Sequence, residues 1–430
     1  MKKMSCSISI CTVLVLALSA GGSPALAALC GFRQCGPPPP PPPPPGSCEP
    51  SSSLTVLVTG TNVVAYVPKG NWEGGATGVS VLNVEGTSIA NKLVSTLNVV
   101  NSCASNPITG KTVCVANNTD VYLLTGTTLS TTLTSGGSST IGFSGGSCTN
   151  CSVAMDAVHN KAAIGLSIAG VPGFQFLNLA TSAFEPAFKS PSGFISEDPL
   201  IDPSRNLLLS ATESNDYEIV NIATSTAPKF FENTLPVSFG GEADSSGEDC
   251  STGIALTGAE GGSPPNIFIA DLTRAKFTAG SPSGTWTAPS QVQTLTEAIL
   301  SAGASGLAVA QGTHIGIVSG EFGGNTITAI ALPATSGTGT PALTDWVSCS
   351  LTGFSDGFDP HTLTAYQSPN GKKDAIALLA NGGASQLAVV DLTMLLNKAI
   401  VPRTTGGHGC AAGSLTAGPP GSVYTTLPVL

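Results

Sequence analysis

Several of this sequence's few acidic residues fall in short segments rich in Gly, Ser and Pro, where side chains can converge. "SEDP" carries Glu197 and Asp198, "GEDCS" carries Glu248 and Asp249, and "GFDPHT" carries Asp359 and His361. "GNWEGG" adds Trp72 and Glu73, "GEFGG" adds Glu321 and Phe322, and Glu213 and Glu260 stand in "TESND" and "GAEGG". Carboxylates brought together can hold a divalent cation such as calcium through oxygen, and an imidazole extends the choice to transition ions. Asp198, Asp249 and His361 are the metal-ligand set this implies. Crowded acids also raise one another's pKa, which can produce a general base. The plainer reading is a solvated acidic rim, with His361 hydrogen-bonded in the turn after Pro360. No catalytic residue is identified by these patterns, and whether the chain is an enzyme is left undecided. Trp72 offers one stacking surface, but aromatic residues are only 5% of the chain, which argues against a broad carbohydrate platform.

Other local patterns carry less. "CTNC", Cys148 to Cys151, has the spacing of a redox or zinc half-site, but no second such pair exists and no His follows Cys151, so disulfides are the simpler use. "GFSGG", Gly142 to Gly146, matches a nucleophile elbow, which needs a strand-to-helix turn that its surroundings do not offer. "TGKT" from Thr109 imitates the end of a phosphate loop, with Ser105 where the first Gly belongs, and reads as a hairpin turn. His159 falls in a turn, His314 opens a strand and His408 lies in a Gly-rich tail, so no His pairing suggests a zinc enzyme. Asn117 and Asn150 fit the glycosylation acceptor pattern.

Residues spread from Trp72 to His361 can cooperate only if the fold gathers them, and a repeat in the chain supplies the means. An apolar strand ending in an apolar or polar residue and then Leu, Val or Ile recurs seven times, ending at Val84, Leu124, Leu179, Ile222, Leu272, Leu332 and Leu392. Successive copies are 40, 55, 43, 50, 60 and 60 residues apart, a mean of about 51, close to the period of four-stranded propeller blades. A second apolar strand precedes each copy, most often after a turn such as "NPITGK", "AVHNK", "DPSRN", "VAQGT" or "SPNGK" that can supply positive φ. The pattern predicts an all-β, seven-bladed β-propeller of four-stranded antiparallel blades, with "SVYTTLPV", Ser422 to Val429, as the outermost strand of the last blade. In such a ring the acidic segments before each innermost strand meet the loops between second and third strands at one mouth of the central channel. Glu197, Asp198, Glu248, Asp249, Asp359, His361, Glu321 and Trp72 are therefore the channel-mouth candidates.

The segments "SPNGKKDAIALLANGGASQLAVVDL", "ITGKTVCVANNTDVYLL" and "DPSRNLLLSATESNDYEIVNI" make the chain similar to the YVTN-type and lactonase-like seven-bladed propeller superfamily, over about Ser51 to Pro402. The Tyr-Val-Thr-Asn tetrad is degenerate and insertions lengthen the last three blades. The resemblance implies the architecture and leaves the chemistry open, because the superfamily holds sugar lactonases, cofactor-bearing dehydrogenase subunits and binding proteins alike. It implies two functions: a binding or scaffolding module of unknown ligand, or a metal-dependent hydrolase of lactonase type at the acidic mouth.

Residues 1–27 have the layout of a signal peptide, with Lys2 and Lys3, an apolar run from Ile8 to Ala20, and Ala25-Leu26-Ala27. Residues 28–50 form a Cys-flanked linker whose nine prolines, Pro37 to Pro45, would make a rod of roughly 28 Å. Residues 51–430 form the propeller with a Gly-rich closing segment. A secreted or periplasmic protein is expected, and its ten remaining cysteines favour disulfides, with Cys103 and Cys114 placed to staple neighbouring strands. Loss of the leader takes the formal charge from -10 to -12, so nucleic acid and anionic lipid are poor partners. A small molecule or an extracellular protein or surface component fits better, and no transmembrane segment is expected.

Overall fold

In the computed structural model, the residues described are 54–70, 76–116, 120–134, 139–140, 152–168, 171–191, 197–224, 226–300, 303–320, 324–335, 337–354, 362–380 and 386–430. Seven antiparallel blades stand around an axis, each built on four strands in sequence order from the centre outward. The innermost strands are Thr55–Thr59, Val100–Asn106, Val153–Asp156, Glu197–Asp202, Glu242–Asp249, Leu307–Ala310 and Leu363–Gln367. Each lies beside the next, and the seventh lies beside the first, so the ring is closed.

The apolar runs exist because every blade is buried on both faces. Side chains alternate across a strand, and each face meets a different neighbour. In Asn62–Pro68, Val63, Ala65 and Val67 pack with Leu378 and Leu387 of the seventh blade, while Val64 and Tyr66 pack with Cys114 and Leu124 of the second. Seven apolar clusters result, one at each interblade junction. Each fully buried Val or Leu contributes about 1.5–3 kcal/mol, so the interblade layers carry most of the stability.

The turns between first and second strands share one construction in the second to fifth blades. The last residue of the inner strand folds its side chain over the turn: Asp202 Oδ1 accepts from the backbone of Ser204 at 2.9 Å, Asp249 Oδ1 from Ser251 at 3.1 Å, and Asn106 Oδ1 from Ile108 at 2.9 Å. These four turns and that of the sixth blade end on a residue at positive φ: Gly110, Asn160, Asn206, Gly253 and His314. Asn and Gly reach that conformation at little cost, which explains the recurring turn patterns. His314 belongs to this turn, and its strand begins one residue later, at Ile315.

Two insertions fold back on the preceding blade. Gly284–Thr287 adds in parallel to Lys229–Thr234 of the fourth blade, and Trp286 donates from Nε1 to the Tyr217 carbonyl at 2.9 Å. Gly409–Thr416 adds in parallel to Asp345–Thr352 of the sixth, held by the Cys349–Cys410 disulfide. Both cover strand edges that would otherwise offer unpaired backbone groups. The seventh blade takes its outermost strand from Tyr424–Pro428, paired with Gln386–Asp391. A second disulfide joins Cys103 and Cys114, which face each other across neighbouring strands.

One inner strand departs from the expected placement. The sequence pattern puts "GEDCS" at the start of the fifth inner strand, but that strand runs Glu242–Asp249, so Glu248 and Asp249 close it. Its sequence, EADSSGED, lacks an apolar run because it is crowded. A Cβ on Gly247 would lie 2.0 Å from Leu307 Cδ2 of the next inner strand, so only small residues fit there.

Candidate functional site

The end of the ring where the inner strands begin is polar on every blade. Thr55, Asn101, Ser152, Asp198, Asp244, Ser305 and Thr362 stand at or within two residues of the seven strand starts, and all are buried. Three blades place theirs on a β-bulge. The pairing with the second strand slips between Val100 and Ser102, between Glu197 and Leu200, and between Ala243 and Ser246. The slipped residues include Asn101, Asp198 and Asp244. A bulge interrupts the ladder to re-aim a side chain and is frequent beside functional sites. Asp198 also has φ of 38°, unusual for a residue with a side chain.

Adjacent blades are tied together at this end. The Ser245 hydroxyl donates to the Ser305 carbonyl, the Ala211 N–H donates to Ser246 Oγ at 2.9 Å, and the Glu213 N–H donates to the Ala243 carbonyl at 2.8 Å. Glu213, in the loop between second and third strands, has φ of 44°. The hydroxyls of Ser102, Ser305 and Thr362 are buried with no hydrogen-bond partner. A buried polar group left unpaired costs about 1–3 kcal/mol, and such groups in a native fold point to a water or ligand that completes them.

The opposite end holds Glu248 and Asp249. Asp202 Oδ2 receives Arg205 Nη1 at 2.6 Å, and Arg205 also donates to the Cys250 carbonyl at 3.1 Å and lies 3.5 Å from Glu248 Oε1. Glu248 is 0% exposed and its Oε2 has no partner. Burial, reinforced by the neighbouring Asp202 carboxylate, pushes the Glu248 carboxyl well above the usual range and favours its protonated form. Asp202, Glu248 and Cys250 bring donor atoms within 4.8 Å of one another. Cys250 is in a disulfide, so it supplies no thiolate, and Arg205 already neutralises Asp202. This is a structural network. Asp249 Oδ2 lies 2.5 Å from His314 Nδ1, and Gln311 accepts the Cys250 N–H at 3.1 Å, so the turns of the fifth and sixth blades are laced together.

Of the sequence candidates, Asp198 is at the polar mouth, and the strand holding Glu197 begins there. Glu248 and Asp249 are at the far end, away from Asp198. Trp72, Glu321, Asp359 and His361, with Cys148, Cys151, "GFSGG", Asn117 and Asn150, lie outside the described residues. The sequence reading missed Asn101, Asp244, Ser305 and Thr362. Only Ser305 and Thr362 carried a signal, as small polar residues ahead of the inner runs "LAVA" and "LTAYQ", whereas Asn101 and Asp244 lie inside their strands. In comparison with known proteins, no family model and no curated protein matches this sequence.

Proposed function

We propose that the chain is a binding module whose ligand docks at the channel mouth where the seven inner strands begin. A β-propeller of this kind suits binding or scaffolding in general. The observation that carries the reading is the set of three bulges at one mouth, turning Asn101, Asp198 and Asp244 out of the regular ladder. Two carboxylates, one amide and the unpaired hydroxyls of Ser102, Ser305 and Thr362 make this an oxygen-rich surface that favours a small polar cation, with calcium the first to try. The likeness of the repeat to YVTN-type and lactonase-like propellers agrees with such a role. The disulfides support an oxidising compartment, which is where a secreted or periplasmic binding protein would work.

A lactonase-type hydrolase would require a tightly held divalent ion at this mouth. Among the described residues no imidazole accompanies Asp198 and Asp244 in a group able to hold a metal. Calorimetric titration of calcium into the folded protein tests the binding reading. Heat of binding is expected in the parent, weakened at least tenfold in Asp198→Ala and Asp244→Ala, and retained in Asp249→Asn at the far end. No heat in the parent overturns the cation reading and removes the premise of the hydrolase.

A further inference from the structure

A cavity distinct from the polar mouth lies on the far face, at the seam where the seventh blade meets the first. A cavity of about 580 Å³ opens there between the end of the first blade's third strand, the hairpin turn of the seventh blade and the closing strand. Its inner wall is apolar, formed by Val84, Ile376, Val389 and Leu427. Its charged lining is mainly acidic, Glu85, Asp374 and Asp391 against a single Lys372, beside the neutral polar Asn370, Ser422 and Thr425.

The three carboxylates are committed to different degrees. Glu85 accepts the Tyr366 hydroxyl at 2.9 Å and the Ser368 hydroxyl at 2.7 Å, which joins the first blade to the seventh. Asp391 Oδ1 accepts the Met394 N–H at 2.8 Å and so caps the short helix Leu392–Leu396. Burial first, and the nearby Asp374 charge as well, raise its pKa, so a cation placed there relieves an unfavourable charge. Asp374 uses its backbone carbonyl to accept the Ser368 N–H at 2.8 Å, and its carboxylate makes no hydrogen bond or ion pair within the described residues.

We propose that this seam groove binds a small amphipathic cation, a primary ammonium on a short hydrocarbon body. The ammonium sits between Asp374 and Asp391, and the hydrocarbon lies along Val84, Ile376, Val389 and Leu427. Each part of the wall excludes an alternative occupant. A hydrated metal ion would leave the apolar wall unused, an organic anion would meet three carboxylates, and a neutral alkyl group would leave Asp374 unpaired. Because the closing strand is one side of the groove, an occupant holds the ends of the ring together and raises the stability of the folded state by mass action.

The test uses the full chain, with hexylammonium as the probe and hexan-1-ol and hexanoate as controls, followed by calorimetry and thermal unfolding. Saturable binding of hexylammonium with a rise in melting temperature is expected, at least tenfold tighter than hexan-1-ol, with no binding of hexanoate. Asp374→Asn and Asp391→Asn should each weaken the probe roughly tenfold, the scale of a lost charge-assisted contact. Asn caps a helix as well as Asp does, so Asp391→Asn removes the charge and keeps the helix. Failure of hexylammonium to saturate, equal binding of hexan-1-ol, or unchanged affinity in both variants overturns the proposal.

Discussion

The backbone N–H of Leu179 donates to the carbonyl of Asn160 at 3.0 Å, joining the end of the third strand to the turn that opens the second. The same bond links Ile222 to Asn206 at 2.9 Å, Leu272 to Gly253 at 2.8 Å and Leu332 to His314 at 2.8 Å. In each case the acceptor stands at positive φ and the donor is the anchor of the repeat, buried in an interblade cluster. The anchor and the turn, some 20 residues apart in sequence, are thus one structural unit, and each has a reason to recur only with the other.

This predicts a hierarchy at Asn206. Replacement by Gly, which accepts positive φ freely, should change stability by no more than a few tenths of a kcal/mol. Asn206→Val should cost about 1–2 kcal/mol through the left-handed conformation alone. Urea unfolding of the two variants measures the difference, and equal midpoints would show that the turn conformation is not what fixes this position.

The fold was legible because blades buried on both faces leave continuous apolar runs at a constant spacing, and because the anchor and its turn must both be present. In six of the seven turns between first and second strands the residue at positive φ is Gly, Asn or His, with Lys373 in the last, and the signal is local. Of the described residues at the polar mouth, the sequence pointed to Asp198 and, beside it, Glu197. Asp244 sits in EADSSGED, where close approach to the next inner strand selects Gly and Ser and erases the apolar signal, so the strand's start was not visible. Bulges at Asn101 and Asp198 depend on pairing with another strand, which no single segment encodes. The insertions of the fifth and seventh blades return to the preceding blade, a relationship between distant segments that periodicity does not report.

Glu248 predicts a pH dependence of known sign. Its folded-state pKa is raised, chiefly by burial, above that of the unfolded chain. The folded form therefore holds its proton more tightly, and the associated stability is complete below the ordinary carboxylate range and is lost as pH rises through the raised value. Glu248→Gln keeps a neutral side chain of the same shape and has no such proton to lose. Melting temperatures from pH 4 to pH 9 should fall for the parent relative to the variant as pH increases. Parallel curves would show that Glu248 ionises without penalty.

The unpaired hydroxyls at the mouth predict an exchange of stability for affinity. Thr362 is buried with Oγ1 unsatisfied, so Thr362→Val should stabilise the ligand-free protein by about 1 kcal/mol by removing an unmet hydrogen-bonding group. If that hydroxyl helps to bind a ligand, the same variant should bind calcium more weakly in the calorimetric titration. A variant that is more stable and binds calcium with unchanged affinity would confine Thr362 to a structural role.

The closing strand gives the most direct test of the ring. Removing residues 422–430 leaves the edge of Gln386–Asp391 unpaired, takes out Tyr424, which is 1% exposed, from the packing between the sixth and seventh blades, and removes Leu427 and Val429 from that between the seventh and first. Loss of a buried aromatic side chain alone costs about 3–5 kcal/mol, and the strand's hydrogen bonds add to that, so the truncated chain should unfold at markedly lower urea or fail to fold. Tyr424→Ala is the milder probe, since it empties the buried site while leaving the backbone ladder in place. Its midpoint should lie between those of the truncation and the parent. If the truncated chain unfolds at the parent's midpoint, the ring does not depend on this strand, and neither does the seam that the strand forms with the first blade.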